Sequence, residues 1–452
     1  MVENIFIAFV LVLITLTTWI AVSLGRAFLL RTAAPVVLIN LVFYFIYVKL
    51  ALYYFLPAVL RMFSNFQFEY EDKVAPIELI AIYAIEFISW GIWLSVFCIT
   101  IYLASRNKKT ETSDYFLRRN FFVAKKAIVV IAFGFLYILA IGVLKLDIIP
   151  LFELFKSVLY FCGVAVGPLL LMLSGRLFEK KYMILGIFLC LANVVTISTR
   201  GAVVYMLLYF YYLAWFVVEN KKAKKLLVAV TLLVAGLYFS LDGLLTGAIT
   251  VSETGEMKID IGANAEKSEG RTALQEIEWR FGASTRMGTA FIRLYDKGEG
   301  AGILPIMHSA LGFLPRSINP DKPIPNTVIP DDIFSQGMYI ISREIQGYDT
   351  YNMTEFPTGA HFYWEFGLLG VLILSAISAL YVSFCVMYFS KFGVIAIPLV
   401  IAIFKPWGYM DPKIWVSDLV MQIYQIILPI IFILLLIVLF EKFKNGAFKY
   451  LN

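Results

Sequence analysis

Residues 76–104 read PIELIAIYAIEFISWGIWLSVFCITIYLA. A helix over this run is apolar on every side, carries only Glu78 and Glu86 as charges, and exceeds the roughly 20 residues that cross a hydrocarbon core. Similar runs occur at 4–24, 33–60, 121–144, 154–175, 225–244, 360–389 and 414–440. The stretch 182–218 is too long for one span, and Arg200-Gly201 interrupts it, so it reads as a tight hairpin of two short spans. With the shorter run 392–404 the expectation is 11 transmembrane helices, an all-α polytopic membrane protein.

Composition agrees. Of 452 residues, 61% are hydrophobic and 15% charged, with a mean hydropathy of +0.82. Soluble domains hold about 45–50% apolar and about 25% charged residues, so no soluble core hides this much apolar side chain. The net charge of +6 is not a nucleic-acid signal, because most basic residues sit in short loops between apolar runs. Cys98, Cys162, Cys190 and Cys385 all fall inside apolar segments, which argues for packing residues rather than a disulfide framework or a zinc site.

Short cytoplasmic loops collect Lys and Arg. With the N-terminus outside, the inside loops at 25–32, 105–126, 176–181, 219–225, 391 and beyond 440 hold 20 basic residues. The short outside loops hold 6: Arg61, Lys73, Lys145, Arg200, Lys405 and Lys413. Glu3 precedes the first run and Arg26 follows it, the reverse of a cleavable signal peptide, so a retained span is expected. The chain then divides into spans 1–8 (1–244), a polar external cap (245–358) between the eighth and ninth spans, and spans 9–11 (359–452). Residues 272–295 and 303–313 of the cap read as helices and 315–330 as proline-rich coil. Long connections with such content are usually functional.

Polar groups at a membrane surface or inside it are costly, which makes them candidates for function. Arg200, in the turn Ser198-Thr199-Arg200-Gly201, stands at an outer mouth where a guanidinium can hold a diphosphate by two bonds; snorkelling to lipid phosphate is the competing reading. Glu276, Glu278, Arg280, Arg286 and Arg293 share a cap helix with Trp279, Phe281 and Phe291. Arg286 and Arg293, seven apart, lie on one face; ordinary ion pairing competes with substrate binding there. In LPRSINPDKP (314–323) three prolines stiffen the backbone around Arg316 and Lys322.

The segment TGAHFYWEFGLLG (358–370) brings His361, Tyr363, Trp364 and Glu365 together where the cap meets the next span. His308 and His361 are the chain's two histidines, and a histidine carries protons near neutral pH. The aromatic residues fit a sugar-stacking platform or an interfacial belt. Lys49 and Glu86 fall at matching depths of adjacent antiparallel spans, as a structural ion pair or a proton pathway. No nucleotide-phosphate loop, HExxH or DxD motif is present, so chemistry on the outer face must use a substrate that arrives activated.

The STRG turn (198–201), the arginine-bearing cap helix, LPRSINPDKP (314–323) and TGAHFYWEFGLLG (358–370) together resemble the Wzy-type oligosaccharide repeat-unit polymerases, or O-antigen polymerases. The resemblance covers the architecture and roughly 180 residues. Many members are described with about twelve spans and an inside N-terminus, against 11 and an outside one here. It implies a GT-C-like glycosyltransferase of the bacterial inner membrane with a periplasmic cap and a cytoplasmic C-terminus. The growing glycan would move from undecaprenyl diphosphate to the terminal sugar of an incoming lipid-linked repeat unit, with no cofactor, metal or nucleic acid. On this resemblance Arg200, Arg280 and Arg316 hold the leaving diphosphate, with Lys322 and Arg286 in support. His361 or Glu365, with His308 behind them, serves the acceptor hydroxyl. Arg293, Tyr363 and Trp364 join the substrate-binding set, and membrane lipids and a chain-length regulator are the other expected partners.

An O-antigen ligase shares this architecture, and a lipid-linked oligosaccharide transporter is the reading from another class. A transporter predicts internal repeats and polar residues distributed through the spans, whereas the polar mass here is on one side. The placement of the cap has a direct check. A cysteine introduced as Ala265→Cys is expected to react with a membrane-impermeant thiol reagent added outside spheroplasts; labelling only from the cytoplasmic side inverts the topology.

Overall fold

The computed structural model describes residues 2–33, 36–62, 75–106, 184–186, 188–189, 225, 229, 249–251, 257–259, 288–303, 358–391 and 400. The helices are α1 (Val2–Thr32), α2 (Val36–Lys49), a π-helical segment (Leu50–Phe55), α3 (Leu56–Met62), α4 (Pro76–Ser105), α5 (288–296) and α6 (Thr358–Phe389). Two three-residue strands, β1 (Ile249–Val251) and β2 (Met257–Ile259), pair antiparallel with Ile249 opposite Ile259. Four stretches are helical, long and apolar enough to cross a membrane: Ile5–Thr32, Val36–Met62, Ile77–Ser105 and Thr358–Phe389. The spans expected at 121–144, 154–175, 182–218, 225–244, 392–404 and 414–440 lie outside the described residues, apart from the isolated helical positions 184–186, 188–189, 225, 229 and 400.

In α1 the buried residues Ala8, Leu11, Thr15, Thr18 and Val22 recur at helical spacing, while Phe9, Leu13, Leu16, Ile20 and Leu24 are exposed. An apolar outer face of this kind suits lipid rather than water. The helix runs on to Thr32, so residues 25–32 are its last turns and not the expected loop. Nothing before Pro35 breaks the helix, and Arg26 turns its guanidinium to Asn40 Oδ1 of α2, 3.0 Å away. Tyr47 likewise donates to Ser23 Oγ at 3.1 Å.

The second span contains a defect with a clear cause. Pro57 has no N–H, and its ring presses on the carbonyl four residues earlier, that of Tyr53. The chain widens into a π turn just before it, and Leu56 N–H bonds Ala51 O, five residues back. Such turns are rare and frequent at functional sites. Here the turn brings Tyr54 to α4: Tyr83 OH donates to the Tyr54 carbonyl at 2.9 Å, and Tyr54 OH donates to Glu86 Oε2 at 2.9 Å.

The ninth expected span is more than a straight helix. At Phe366 (φ −141°, ψ 23°) and Gly367 (φ 63°, ψ −150°) α6 breaks. A Cβ on Gly370 would run into the carbonyl of Phe362, and in a straight helix those residues are separated by about 12 Å of axial rise. Gly359 and Ser375 both reach Ser89 of α4, although a straight helix would set them about 24 Å apart. The short arm (358–365) therefore folds back along the long arm (368–389). Non-straight backbone at this depth survives where protein surrounds it, and the short arm is buried between α4 and α5: Ile82, Ile85, Ala290, Phe291, Leu294, Ala360, Phe362, Trp364 and Leu374 form one core cluster. The long arm meets α4 through small residues, with Ser89 and Ser375 hydroxyls 2.8 Å apart, as helices in lipid prefer.

Gly367 lies in a backbone region that only glycine occupies at low cost, and an added Cβ would sit 2.5 Å from Tyr295 Oη. Gly367→Ala is expected to destabilise the protein by about 1–3 kcal/mol, read as a lower midpoint of thermal unfolding in detergent. Tyr295→Ala added to it should restore only the part due to contact. An unchanged midpoint in Gly367→Ala would remove the fold-back.

Candidate functional site

Of the residues singled out from sequence, His361, Tyr363, Trp364 and Glu365 lie together on the short arm of α6, Lys49 and Glu86 meet its start, and Arg293 stands apart on α5, paired with Glu78. Arg200, Arg280, Arg286, His308, Arg316 and Lys322 lie outside the described residues. All four of the α6 candidates stand on the short arm. His361 and Glu365 are one helical turn apart, with Nδ1 3.3 Å from Oε1, and they are 1% and 2% exposed. The imidazole is boxed by rings, with Phe291 of α5 edge-on at 5.1 Å and Trp364 at 5.6 Å. Chemically, the pair can take up and hold a proton from a hydroxyl that reaches it.

The arm is positioned at its end by groups that sequence reading did not single out, and at its start by two that it did. At its end the break leaves the carbonyls of Trp364 and Glu365 without their helical N–H partners. Ala301 N and Gly302 N, in the turn after α5, supply them at 3.0 Å each. That turn is set by an α5 C-terminus of Schellman type: Gly298 has φ 83°, and Gly298 N and Glu299 N bond the carbonyls of Tyr295 and Leu294. Trp364 Nε1 returns a bond to Glu299 O at 3.0 Å, and Tyr363 OH donates to Asp296 Oδ1 at 3.2 Å.

At its start the arm meets Lys49 and Glu86, both 2% exposed. Lys49 Nζ donates to Thr358 Oγ1 at 3.2 Å and rests over the Trp90 ring at 5.4 Å. Glu86 Oε1 accepts from Ala360 N at 3.0 Å, so a carboxylate from α4 caps a half-helix N-terminus, where helix geometry favours a negative charge. The two residues expected at matching depth are thus joined through the first turn of α6. An added Cβ on Gly359 would come within 2.9 Å of Glu86 Oε1, which explains a glycine beside that contact.

Arg293 bridges α5 to the start of α4. Its Nε and Nη2 donate to the two oxygens of Glu78 at 2.6 and 2.7 Å. Glu78 also accepts from Ala75 N at 2.7 Å, closing the first turn of α4. The ion pairing that competed with substrate binding in the sequence thus operates between helices, not along one. An acidic residue three positions after the N-cap Ala75 of α4 was the available signal for Glu78. Asp296, Glu299 and the 298–302 turn carried no comparable signal, because their roles exist only against α6.

No protein-family model, curated protein or solved structure matches the chain.

The fork between Arg293 and Glu78 is partly exposed, at 27% and 22%, so solvent screens it. A double-mutant cycle with Arg293→Gln and Glu78→Gln is expected to give a coupling of about 1 kcal/mol in unfolding free energy. A coupling near zero would mean the bridge does not hold α5.

Proposed function

We propose that this protein is a membrane glycosyltransferase that polymerises undecaprenyl-diphosphate-linked oligosaccharide repeat units on the outer face of the bacterial inner membrane, as a Wzy-type enzyme of GT-C-like architecture with 11 spans. The observation that carries the reading is the buried His361–Glu365 pair on a re-entrant arm, directly beneath α5 of the long polar segment. It joins a proton acceptor to the segment in which Arg280, Arg286, Arg316 and Lys322 occur.

In the proposed reaction the acceptor sugar's hydroxyl oxygen bonds to the anomeric carbon of the growing chain. The bond from that carbon to the diphosphate oxygen breaks, and the electron pair leaves on the diphosphate. Arg200, Arg280 and Arg316 stabilise that charge, with Arg286 and Lys322 behind them. The hydroxyl proton passes to His361, held by Glu365, with His308 in reserve. Tyr363 and Trp364 offer rings to the sugar. Arg293, taken up by Glu78, orients α5. Since His361 is enclosed, the acceptor reaches it only if α5 shifts from the short arm.

A second reading has its own support. Broken half-helices with buried charges are also how transporters build midplane sites, and α6 with Lys49 and Glu86 fits that pattern. A ligase, by contrast, differs from the polymerase only in its acceptor.

The deciding experiment is reconstitution of the purified protein with lipid-linked repeat units extracted from its source cell, without ATP and with a chelator. A ladder spaced by one repeat supports the polymerase, and a single-step product on another acceptor supports the ligase. Leaflet exchange without product supports the transporter. His361→Ala and Glu365→Gln are expected to lower the polymer yield by about 10²-fold or more at equal protein level; unchanged yields would remove the pair from the chemistry.

A further inference from the structure

The first turn of the short arm is pressed against α4. Glu86 Oε1 accepts from Ala360 N at 3.0 Å, and an added Cβ on Gly359 would meet Glu86 Oε1 and the Ser89 Cβ at 2.9 Å each. The other carboxylate oxygen, Oε2, accepts from Tyr54 OH at 2.9 Å. Tyr54 is fixed in turn, its carbonyl accepting from Tyr83 OH at 2.9 Å. Both oxygens of Glu86 are thus engaged, one by the arm and one by the π segment. Lys49, the last residue of α2, donates to Thr358 Oγ1 at 3.2 Å, so two opposite charges grip one turn from two helices. A neutral Ser, Thr or Asn caps a helix start as well as a carboxylate does, whereas buried charges persist only when paired. His361 follows Ala360 directly, and Glu365 lies one turn beyond. Neighbouring helical residues keep a fixed spacing of about 1.5 Å along the axis, so a displacement of Ala360 carries the imidazole with it.

We infer that Glu86, supported by Tyr54 and Lys49, is a positioning residue for the His361–Glu365 pair. It bonds the backbone of the arm and not the imidazole, so it acts through the arm. The inference rests on the glycosyltransferase reading above, in which the acceptor reaches His361 only when α5 shifts. That shift takes away the bonds from Ala301 and Gly302 that hold the end of the arm. Among the described contacts, those from Glu86, Lys49 and the face of α4 then keep the imidazole where the hydroxyl arrives. Misplacing a reacting group by about 1 Å can cost about 10²-fold in rate, which is the scale on which one fixed backbone N–H matters.

The test compares the full chain with Glu86→Gln and Tyr54→Phe, reconstituted with lipid-linked repeat units and with kcat expressed per folded molecule. Glu86→Gln keeps an oxygen for Ala360 N and removes the charge; Tyr54→Phe keeps the ring and removes the hydroxyl on Oε2. The expected result is a fall in kcat of about tenfold or more in Glu86→Gln, and a smaller fall in Tyr54→Phe, with KM for the repeat unit unchanged. A merely structural role would lower the amount of folded protein and leave kcat per folded molecule as it was, and that outcome overturns the inference. So does a raised KM at unchanged kcat, which would make Glu86 a substrate-binding group. If Glu86→Gln does not fold, Tyr54→Phe decides by the same criteria. A second readout needs no turnover: the rate at which diethyl pyrocarbonate modifies His361, followed by peptide mass spectrometry, is expected to rise about threefold or more in the variants as the arm loosens. If the wild type makes no polymer, the glycosyltransferase reading falls and this rate alone decides the positioning of His361. An unchanged rate then overturns it.

Discussion

A helix that stops inside apolar surroundings leaves N–H and C=O groups with no water to satisfy them, each at a cost of several kcal/mol. The break at Phe366-Gly367 imposes that debt on α6, and the surrounding structure is organised to meet it. Glu86 and Thr358 serve the start of the short arm. Ala301 and Gly302 serve its end. The helix α5 lies buried because its C-terminal turn must be there, and α4 runs alongside because its carboxylate must be there. Without the fold-back α5 would lose that placement, while α4 would keep its packing on α1 and α2.

This constraint links the polar segment to the membrane helices more firmly than surface contact would. Phe291 is wholly buried, packed on His361 and Trp364, so the segment enters the core instead of resting on it. The same packing that satisfies the backbone encloses the His361–Glu365 pair. Structure and site share one set of atoms: Trp364 gives its carbonyl to Ala301 and its Nε1 to Glu299, and its ring meets the imidazole at a steep angle.

Much of this was legible in the sequence, to different depths. Four described spans fall where hydropathy sets them, because length and apolar content suffice to define a crossing helix. Lys49 and Glu86 were recognisable as partners in depth, since antiparallel neighbours equate distances from a common end. The neighbourhood of His361 and Glu365 followed from their spacing of four. What escaped reading was everything created by the fold-back. Gly367 within FGLLG looks like any glycine in an apolar run, and only its backbone angles and the nearness of Tyr295 reveal the turn. The π segment escaped too, although Pro57 inside an apolar run was its visible cause. The loop assigned to 25–32 proved helical because two arginines near a span's end mark the interface as well as they mark a loop.

The contacts that hold the short arm are unequal, and the inequality bears on how a site so enclosed is reached. Toward α4, Glu86, Thr358 and Ala360 are buried, and breaking their bonds strands a charge in apolar surroundings. Toward α5, the Tyr363–Asp296 bond faces solvent in part, as does the Arg293–Glu78 fork that ties α5 to α4, where water can replace what is lost. Separation on the α5 side would also break the Ala301 and Gly302 bonds to the Trp364 and Glu365 carbonyls and uncover Phe291, so it requires the 298–302 turn to move with α5. The short arm would then stay with α4, holding His361 and Glu365 in place, while α5 moves. Under the glycosyltransferase reading proposed above, a rigid arm under a movable cover would admit a long glycan without disturbing the proposed proton acceptor. A transporter needs the opposite, a broken helix free to rearrange, and the buried capping of this one by Glu86 argues against that freedom.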